Sequence, residues 1–342
     1  IILSQNPAKL RRHIFIMNHY PSNVKEKLNS IILSMAEHHW LFSKNPGHDF
    51  TRQHLGKLSF YDTMRLIISM GKGSTNDEIM DYFDLDPDLI PSQSAFCQRR
   101  RQISLSAFEY LFSEFSSSFP STTDKFKDHC ILACDGCHVV YATNSDIIED
   151  YNKPRLIDYK GYNHMHLNGF VDVISKAFLD VVIQPGQQPD EREALHSMLD
   201  HFTPDDPQKY IITADRGYES YDLLFHCEFK NLGYVFRVKS PSSPKSILSY
   251  YASELPDDLE EFDVTIKRFF TDKATNIMKS QSDVYRYINP SKNTPHFYEL
   301  LRKNHSHLYF LQFRVVKIKT AENTQEIYSR LILYNFGIFI AN

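Results

Sequence analysis

Two aspartates follow runs of β-forming residues in the central part of the chain. Residues 210–214 read Tyr-Ile-Ile-Thr-Ala and lead into Asp215, and residues 131–134 read Ile-Leu-Ala-Cys and lead into Asp135. Open α/β sheets assemble their active sites at the carboxyl ends of such strands. Two neighbouring carboxylates would be hard oxygen ligands for Mg²⁺ or Mn²⁺, and paired ions stabilise the attacking and leaving oxygens in phosphoryl transfer. The alternative for each aspartate is a turn or helix-capping role, because Asp is common in turns.

Several short motifs surround these aspartates in a fixed order. They are Asp135-Gly136, residues 161–168 (Gly-Tyr-Asn-His-Met-His-Leu-Asn), 184–186 (Gln-Pro-Gly), 190–194 (Asp-Glu-Arg-Glu-Ala) and 214–218 (Ala-Asp-Arg-Gly-Tyr), with 57–60 and 69–71 upstream and 326–336 downstream. The ordered set resembles the DDE transposases of bacterial insertion sequences, in the group marked by a YREK signature. No single motif is decisive, but the order is specific and covers most of the chain.

The resemblance implies a DNA transposase that cleaves and transfers strands at insertion-sequence ends. Asp135 and Asp215 would be the catalytic metal ligands for Mg²⁺ or Mn²⁺, and Arg216 a phosphate contact. In the family, the metal activates water to nick the transposon end, and the freed 3′-hydroxyl then attacks phosphodiesters in line. The implied partner is double-stranded DNA, as transposon ends and as target, and pairing two ends implies a homodimer on DNA. His164 and His166 are expected to be structural, although one of them could face the site.

The sequence departs from the family where the third carboxylate is expected. That glutamate should lie on a helix reading Tyr-x-x-Arg-x-x-x-Glu-x-x-x-x-x-x-Lys, and no stretch of this sequence does so. Residues 313–323, which resemble the last strand before the signature, run almost directly into residues 324–327, which resemble the helix after it. We therefore predict that the segment with the third acid is missing, and Glu326, Glu322 and Glu261 are weak substitutes.

This departure leaves two other functions open. One is a catalytically inactive, DNA-binding remnant of a transposase that recognises element ends without cutting them. The other is a metal-dependent nuclease unrelated to transposition, which would lack specificity for element ends.

We predict an α/β fold with a ribonuclease H-like catalytic core, an inserted β-rich subdomain and an N-terminal helical DNA-binding region. The predicted domains are residues 1–120 (helical), 121–240 (core), 241–320 (β-rich subdomain) and 321–342 (a C-terminal helix packing on the core). In the core, strands are predicted at 130–135, 138–143, 164–173, 177–183, 209–214 and 234–239, and helices at 190–202 and 220–232. The first three strands are expected to form hairpins.

Serines that precede apolar patterns predict short helices in the N-terminal region. Ser59 with Asp62 forms a capping-box pattern. The third of these helices contains Arg99, Arg100 and Arg101, and short helices with an arginine run resemble a small DNA-binding bundle. The alternative is a solvated helix face. The four helix starts are placed at Ser59, Ser74, Ser92 or Ser94, and Ser104.

Composition and charge narrow the possible partners. The hydrophobic content of 42%, with 25 Phe and 20 Tyr, predicts a folded core. No apolar run reaches the roughly 18 residues that a membrane helix needs. The net charge of −4 conceals a partition: residues 131–261 carry −11 and residues 262–342 carry +6. An acidic metal centre flanked by less acidic segments suits DNA, although a solvated acidic face explains the charges equally well.

The cysteines and the N-terminus indicate the cellular compartment. The chain has five cysteines without the spacing of a disulfide scaffold, which fits a reducing compartment. The N-terminus lacks a secretory apolar region. We therefore expect a cytoplasmic protein. The resemblance to transposases of bacterial insertion sequences implies that it is bacterial and associated with the nucleoid. Cys130, Cys134, Cys137 and His138 are closely spaced, but they alternate along a predicted strand, which disfavours a zinc site.

Overall fold

The computed structural model of the chain describes residues 23–51, 58–118, 126–153, 160–289 and 294–318. The chain divides into two compact units, residues 1–123 and residues 124–342. The predicted C-terminal helix, together with Glu322 and Glu326, lies outside the described residues, as does Lys57.

The first unit is built from helices. Helix α1 covers residues 23–37, and it is followed by α2 (Phe60–Ser69), α3 (Thr75–Tyr82), α4 (Gln93–Gln102) and α5 (Leu105–Ser117). Ile32, Phe60 and Leu111 belong to one apolar cluster that joins α1, α2 and α5. A second cluster, with Ile79 and Phe96, packs α3 and α4 against α2.

Serine caps begin three of these helices, as the sequence predicts. Ser59 Oγ accepts a hydrogen bond from Asp62 N at 3.1 Å, and Asp62 Oδ2 accepts one from Ser59 N, which completes the capping box. Ser74 and Ser92 also cap α3 and α4, because their hydroxyl oxygens accept hydrogen bonds from Asp77 N at 3.3 Å and Ala95 N at 3.2 Å. Each such cap stabilises a helix by about 1 kcal/mol. Ser104 also holds the N-cap position of α5, but its hydroxyl donates to the Phe42 carbonyl instead.

The second unit contains a six-stranded mixed sheet. The strands are β1 (Cys130–Tyr141), β2 (Tyr151–Asn152), β3 (Tyr162–Asp172), β4 (Phe178–Pro185), β5 (Tyr210–Ala214) and β6 (Gly233–Phe236). In the order β2-β3-β1-β5-β6, β3 is antiparallel to β1 and β2, whereas β5 is parallel to β1 and β6. Strand β4 also pairs antiparallel with β3. The fold is therefore mixed α/β.

Strand β1 corrects the prediction of two strands separated by a turn at Asp135-Gly136. It continues through both residues, and its pairing with β3 runs from Leu132 to Tyr141. An Asp-Gly pair favours a hairpin only where the chain reverses. Here β3 pairs along the whole stretch, so Asp135 lies inside a strand instead of at its end.

Helices α6 (Glu191–His201) and α7 (Tyr221–Phe229) supply apolar side chains to the core of this sheet. Helix α7 ends three residues before the predicted end at Leu232. Asn231 adopts a left-handed conformation with φ 56°, and Leu232 N donates to the Cys227 carbonyl at 2.9 Å. This is a C-capping geometry that stops a helix. The core includes Leu132, Phe170, Leu195, Ile212 and Leu223.

A smaller sheet follows, in the region predicted to be β-rich. Its region contains β7 (Phe262–Thr271), α8 (Asn276–Ser280), β8 (Tyr285–Tyr287), α9 (Pro295–Lys303) and β9 (Leu308–Lys317). The strand order is β8-β7-β9, with β7 antiparallel to β9. Phe225 of α7 packs against Phe270 of the small sheet and Phe297 of α9, which joins the two parts of the unit.

No helix among the described residues is both long and apolar enough to cross a membrane.

Candidate active site

One edge of the main sheet brings the two predicted aspartates together. Strands β1 and β5 run parallel, and their last pair is Cys134 with Ala214. Asp135 and Asp215 therefore occupy the next register position on strands that lie about 4.8 Å apart. Strand β4 runs in the same direction as β1, because both are antiparallel to β3. The chain therefore leaves β4 at the same edge.

Each aspartate is fixed locally by a glycine amide. Asp135 Oδ1 accepts a hydrogen bond from Gly136 N at 2.9 Å, and Asp215 Oδ1 accepts one from Gly217 N at 2.6 Å. Both aspartates are exposed to solvent. A hydrated cation can therefore reach both carboxylates directly.

A third carboxylate, that of Glu191, lies between these two glycines. A β-carbon added at Gly217 would meet Glu191 Oε2 at 2.8 Å and Asp215 Oδ1 at 2.9 Å. A β-carbon added at Gly136 would meet the other oxygen, Glu191 Oε1, at 2.9 Å. The absence of a side chain at both glycines thus makes room for the Glu191 carboxylate beside both aspartates.

His166 on β3 faces the same carboxylate. Its Nε2 lies 3.4 Å from Glu191 Oε1 and 2.5 Å from the position of a Gly136 β-carbon. The residue is only 4% exposed, and neither ring nitrogen makes a hydrogen bond. Buried polar groups normally have a partner. His166 is therefore a polar group that a cation-bound water or a substrate oxygen could satisfy.

The start of α6 is anchored to the end of β4, which places Glu191. Asp190 caps the helix by accepting hydrogen bonds from Arg192 N at 3.0 Å and Glu193 N at 3.1 Å. Gln184 on β4 donates to the Asp190 carbonyl and accepts from Asp190 N. Arg192 Nε donates to the Gly217 carbonyl at 3.3 Å, so the helix start is also tied to the loop that follows β5.

The start of α6 borders an open cleft of about 430 Å³. The residues that line the cleft include His138, His166, Glu191, Arg192 and Gly217. Burial, with a contribution from the carboxylates of Asp135 and Glu191, raises the pKa of the Cys134 thiol to about 12. Burial also raises the pKa of the Tyr218 hydroxyl, with further contributions from Cys134 and then from Glu191 and Asp135. Both groups therefore stay protonated beside the cleft.

The carboxylates fit divalent ions by their chemistry. Hard oxygen ligands suit Mg²⁺ and Mn²⁺. Within the described parts of the chain, the ligand atoms of Asp135, Asp215 and Glu191 do not all come within 4.8 Å of one another. The cysteines do not form such a group: Cys130 and Cys134 are buried, whereas Cys137 is exposed.

The predicted arginines have different surroundings. Arg99 stacks over the Phe50 ring at 5.1 Å and donates to Gln102 Oε1 at 3.1 Å, whereas Arg100 and Arg101 are exposed. Arg216 is exposed beside Asp215, and its carbonyl accepts a hydrogen bond from Lys239 Nζ at 3.4 Å. Of the four predicted arginines, Arg100, Arg101 and Arg216 therefore have side chains open to a phosphate.

A family model of the transposase DDE domain matches residues 126–336, which is more than half of the chain and includes both aspartates. The chain belongs to the DDE-domain transposases. This confirms the resemblance to DDE transposases, whereas the group marked by the YREK signature and the missing third acid stay predictions. DDE domains generally use divalent metal ions, and transposases act on DNA. None of the curated proteins compared with this transposase matches it.

Sequence reasoning about this transposase missed Glu191 as a site residue. The acidic run at 190–193 reads as a favourable helix N-terminus, because negative charge stabilises that end of a helix. The signal that could have identified Glu191 is its short separation in sequence from the end of β4. A helix that starts a few residues after a strand parallel to β1 begins at the same end of the sheet as the residues that follow Asp135 in β1.

A buried carboxylate holds the loop behind Asp215. Glu219 is 4% exposed and accepts hydrogen bonds from Ile247 N at 2.6 Å, Ser246 Oγ at 2.8 Å and Lys239 N at 3.1 Å. Burial by itself raises the pKa of Glu219, but these hydrogen bonds outweigh it and hold the pKa below its usual value. Lys239 Nζ contacts both Glu219 Oε2 and the Arg216 carbonyl, so the charge at Glu219 positions the loop.

We expect Glu219→Gln to destabilise the transposase by about 2 kcal/mol at pH 7, as is typical for hydrogen bonds to a charged group. A carboxyl whose pKa is lowered by folding stabilises the protein above its unfolded pKa and loses that effect as the pH falls through the folded pKa. The difference between wild type and variant should therefore shrink below pH 4.5, the ordinary value for this side chain. Urea denaturation at several pH values measures it. Glu193→Gln, an exposed control, should change little; an unchanged Glu219→Gln protein would contradict the assignment.

Proposed function

We propose that this transposase cleaves and joins DNA strands at the ends of a mobile element, using divalent ions held by Asp135, Asp215 and Glu191. The observation that carries the proposal is the position of the Glu191 carboxylate. Its oxygens lie within 3 Å of the positions that a β-carbon would occupy at Gly136 and at Gly217. When bound, the ions supply Lewis-acid stabilisation of the attacking and leaving oxygens. The chain's own residues bind and orient the ions, and His166 lines the cleft where a substrate oxygen would lie.

The order of the main sheet supports a ribonuclease H-like core. Three antiparallel strands, β4, β3 and β1, are followed across the sheet by the parallel strands β5 and β6. This is the arrangement that the transposase resemblance implies. The site lies where the parallel pairing of β1 with β5 stops, at the carboxyl end of β5. Active sites of open α/β sheets usually lie at such strand ends.

Glu191 offers a third carboxylate on a different element from the expected one. The signature helix would follow the small sheet, whereas Glu191 begins α6, before β5. We infer that the loss of the signature segment removes the usual third acid and that Glu191 supplies a third carboxylate beside the two aspartates instead. A metal centre with two aspartates and one glutamate has the negative charge needed to bind divalent ions.

Metal binding tests the role of Glu191. We expect Glu191→Gln to weaken Mn²⁺ binding about tenfold or more, since loss of even an outer-sphere partner costs about 10–100-fold in metal affinity. Electron paramagnetic resonance of free Mn²⁺ during titration measures the affinity. Glu193→Gln, two residues along the same helix and exposed, is the matched control. Equal Mn²⁺ affinity in the two variants would remove Glu191 from the site.

An inactive DNA-binding remnant is the second candidate function. The absence of the Tyr-Arg-Glu-Lys signature from the sequence favours it. Incubation with a short duplex carrying an element end, in Mg²⁺ and in Mn²⁺, separates the two functions. Metal-dependent nicking that is lost in Glu191→Gln supports the transposase, whereas binding without nicking in either metal supports the remnant.

Exposed arginines on α4 are proposed DNA contacts. We expect the double substitution Arg100→Ala and Arg101→Ala to weaken duplex DNA binding. The dependence of log affinity on log salt should become shallower by about 0.9 for each phosphate that the variant no longer neutralises. Fluorescence anisotropy at two or more salt concentrations measures both effects.

Two further substitutions make this test specific. Lys72→Ala, which removes an exposed charge elsewhere in the first unit, should leave the salt dependence unchanged. Arg99→Ala should act mainly on stability, because Arg99 stacks on Phe50. If the Arg100 and Arg101 double variant binds DNA like Lys72→Ala, these arginines belong to a solvated helix face.

A further inference from the structure

Three histidines from three helices meet inside the second unit. They are His196 on α6, His226 on α7 and His296 on α9. One ligand atom from each lies within 4.8 Å of the other two. The rings are stacked: the His226 and His296 centroids are 3.7 Å apart, and those of His196 and His296 are 4.6 Å apart. Residues so far apart in sequence are brought together by the packing of the helices.

Carboxylates flank this histidine trio. Asp222 Oδ2 lies 2.8 Å from His296 Nδ1 and 3.5 Å from His196 Nε2, and Asp222 is only 2% exposed. Asp200 Oδ1 lies 3.2 Å from His226 Nε2. In a metal-bound imidazole, the ring nitrogen that does not bind the metal usually contacts a carboxylate. This contact fixes the tautomer and the ring orientation.

Neutral imidazoles cannot satisfy all these contacts. His196 Nδ1 and His226 Nδ1 lie 2.9 Å apart, so one of the two must carry the hydrogen. A neutral imidazole has a single N–H group. If His196 donates, its Nε2 lone pair faces Asp222; if His226 donates, its Nε2 lone pair faces Asp200. His226 Nε2 is buried and makes no hydrogen bond. An added positive charge, either a proton or a metal ion, would remove the conflict.

Burial opposes the added proton. The His226 residue is 1% exposed. Neutral imidazoles are the form that binds transition metals.

We propose that His196, His226 and His296 form a structural site for a transition-metal ion, with Zn²⁺ as the ion that best suits three imidazole ligands. Asp222 and Asp200 orient the rings through the nitrogens that face away from the ion, and water completes the coordination. The stacked rings must turn relative to one another on binding, because each imidazole coordinates through a lone pair in its own ring plane and zinc ligands adopt a tetrahedral arrangement with Zn–N distances of about 2.0–2.1 Å. The ion would connect α6, the helix that begins at Glu191, to α7 and to the helix that precedes β9.

The full chain, stripped of metal and carrying Asp135→Asn and Asp215→Asn, is the protein to test. These substitutions disable the carboxylate site, so failure of that site and failure of the histidine site remain distinguishable. Titration with Co²⁺ should give one equivalent bound, with the visible bands of tetrahedral coordination, and Zn²⁺ should displace it. Added separately, His196→Gln and His296→Gln should each weaken Co²⁺ binding about tenfold or more. His201→Gln, an exposed histidine on the same helix, should leave binding unchanged.

Two results would overturn the proposal. One is the absence of tetrahedral Co²⁺ bands from the protein with an intact trio. The other is equal Co²⁺ affinity in His196→Gln, His296→Gln and His201→Gln. Should the trio variants fail to fold by circular dichroism, proton NMR of the Co²⁺-loaded protein with the trio intact decides the question. Three paramagnetically shifted imidazole N–H signals are expected, and fewer than three would exclude the site.

Discussion

Asp215→Asn is expected to weaken Mn²⁺ binding about tenfold or more and to reduce DNA strand cleavage by about 100-fold or more. The substitution keeps the size of the side chain and its acceptor for Gly217 N, but it removes the negative charge that a divalent ion requires. Asp135→Asn should have a similar effect, because Asp135 occupies the same register position on the neighbouring strand. Mn²⁺ titration and a strand-cleavage assay on a labelled duplex measure the two effects.

Asp146→Asn is a suitable control, since Asp146 is an exposed carboxylate in the loop that follows β1. It should bind Mn²⁺ and cleave DNA as the wild type does. The binding measurement remains informative even for a chain that does not cut. Unchanged Mn²⁺ affinity in both aspartate variants would place the metal elsewhere in the chain.

Phe225→Ala is expected to lower the free energy of unfolding by about 3–5 kcal/mol, the usual cost of removing a buried Phe side chain. Phe225 is fully buried, and its ring centroid lies 4.7 Å from that of Phe297 and 5.1 Å from that of Phe270. The cavity would open where α7 meets both α9 and the small sheet. Denaturant unfolding followed by circular dichroism measures the change.

Phe269→Ala provides the comparison, because Phe269 is on the same small sheet but is 37% exposed. Its ring centroid lies 5.2 Å from that of Phe310, so the variant should be destabilised by about 1 kcal/mol or less. Similar destabilisation in the two variants would mean that the α7 junction contributes less to stability than its packing indicates.

Local signals in the sequence were reliable for elements whose start or end depends on neighbouring residues. The capping box at Ser59 and the caps at Ser74 and Ser92 need only residues within one turn, so the sequence predicts them. The strand ending at Ala214 is likewise visible, because five β-forming residues are followed by Asp215 and a glycine two positions later.

Features that depend on distant pairing were not visible in the sequence. Asp135-Gly136 resembles a turn, but β3 supplies pairing partners from more than 30 residues away and keeps the strand continuous. Glu191 resembles a residue that only stabilises a helix end, because its proximity to Gly136 and Gly217 depends on the direction of β4. The segment expected to follow residue 318 lies outside the described chain, so the missing third acid remains a sequence prediction.

The two aspartates of the site differ in how the fold holds them. Asp135 is inside a strand that pairs with β3 both before and after it, whereas Asp215 begins the loop that leads to α7. Strand pairing thus fixes the backbone of Asp135, whereas side-chain hydrogen bonds from Arg192 and Lys239 hold the loop after Asp215. Ca²⁺ is larger than Mg²⁺ and accepts less regular geometry. We expect an exchange between these ions to displace the backbone around Asp215 while the backbone of Asp135 stays in place.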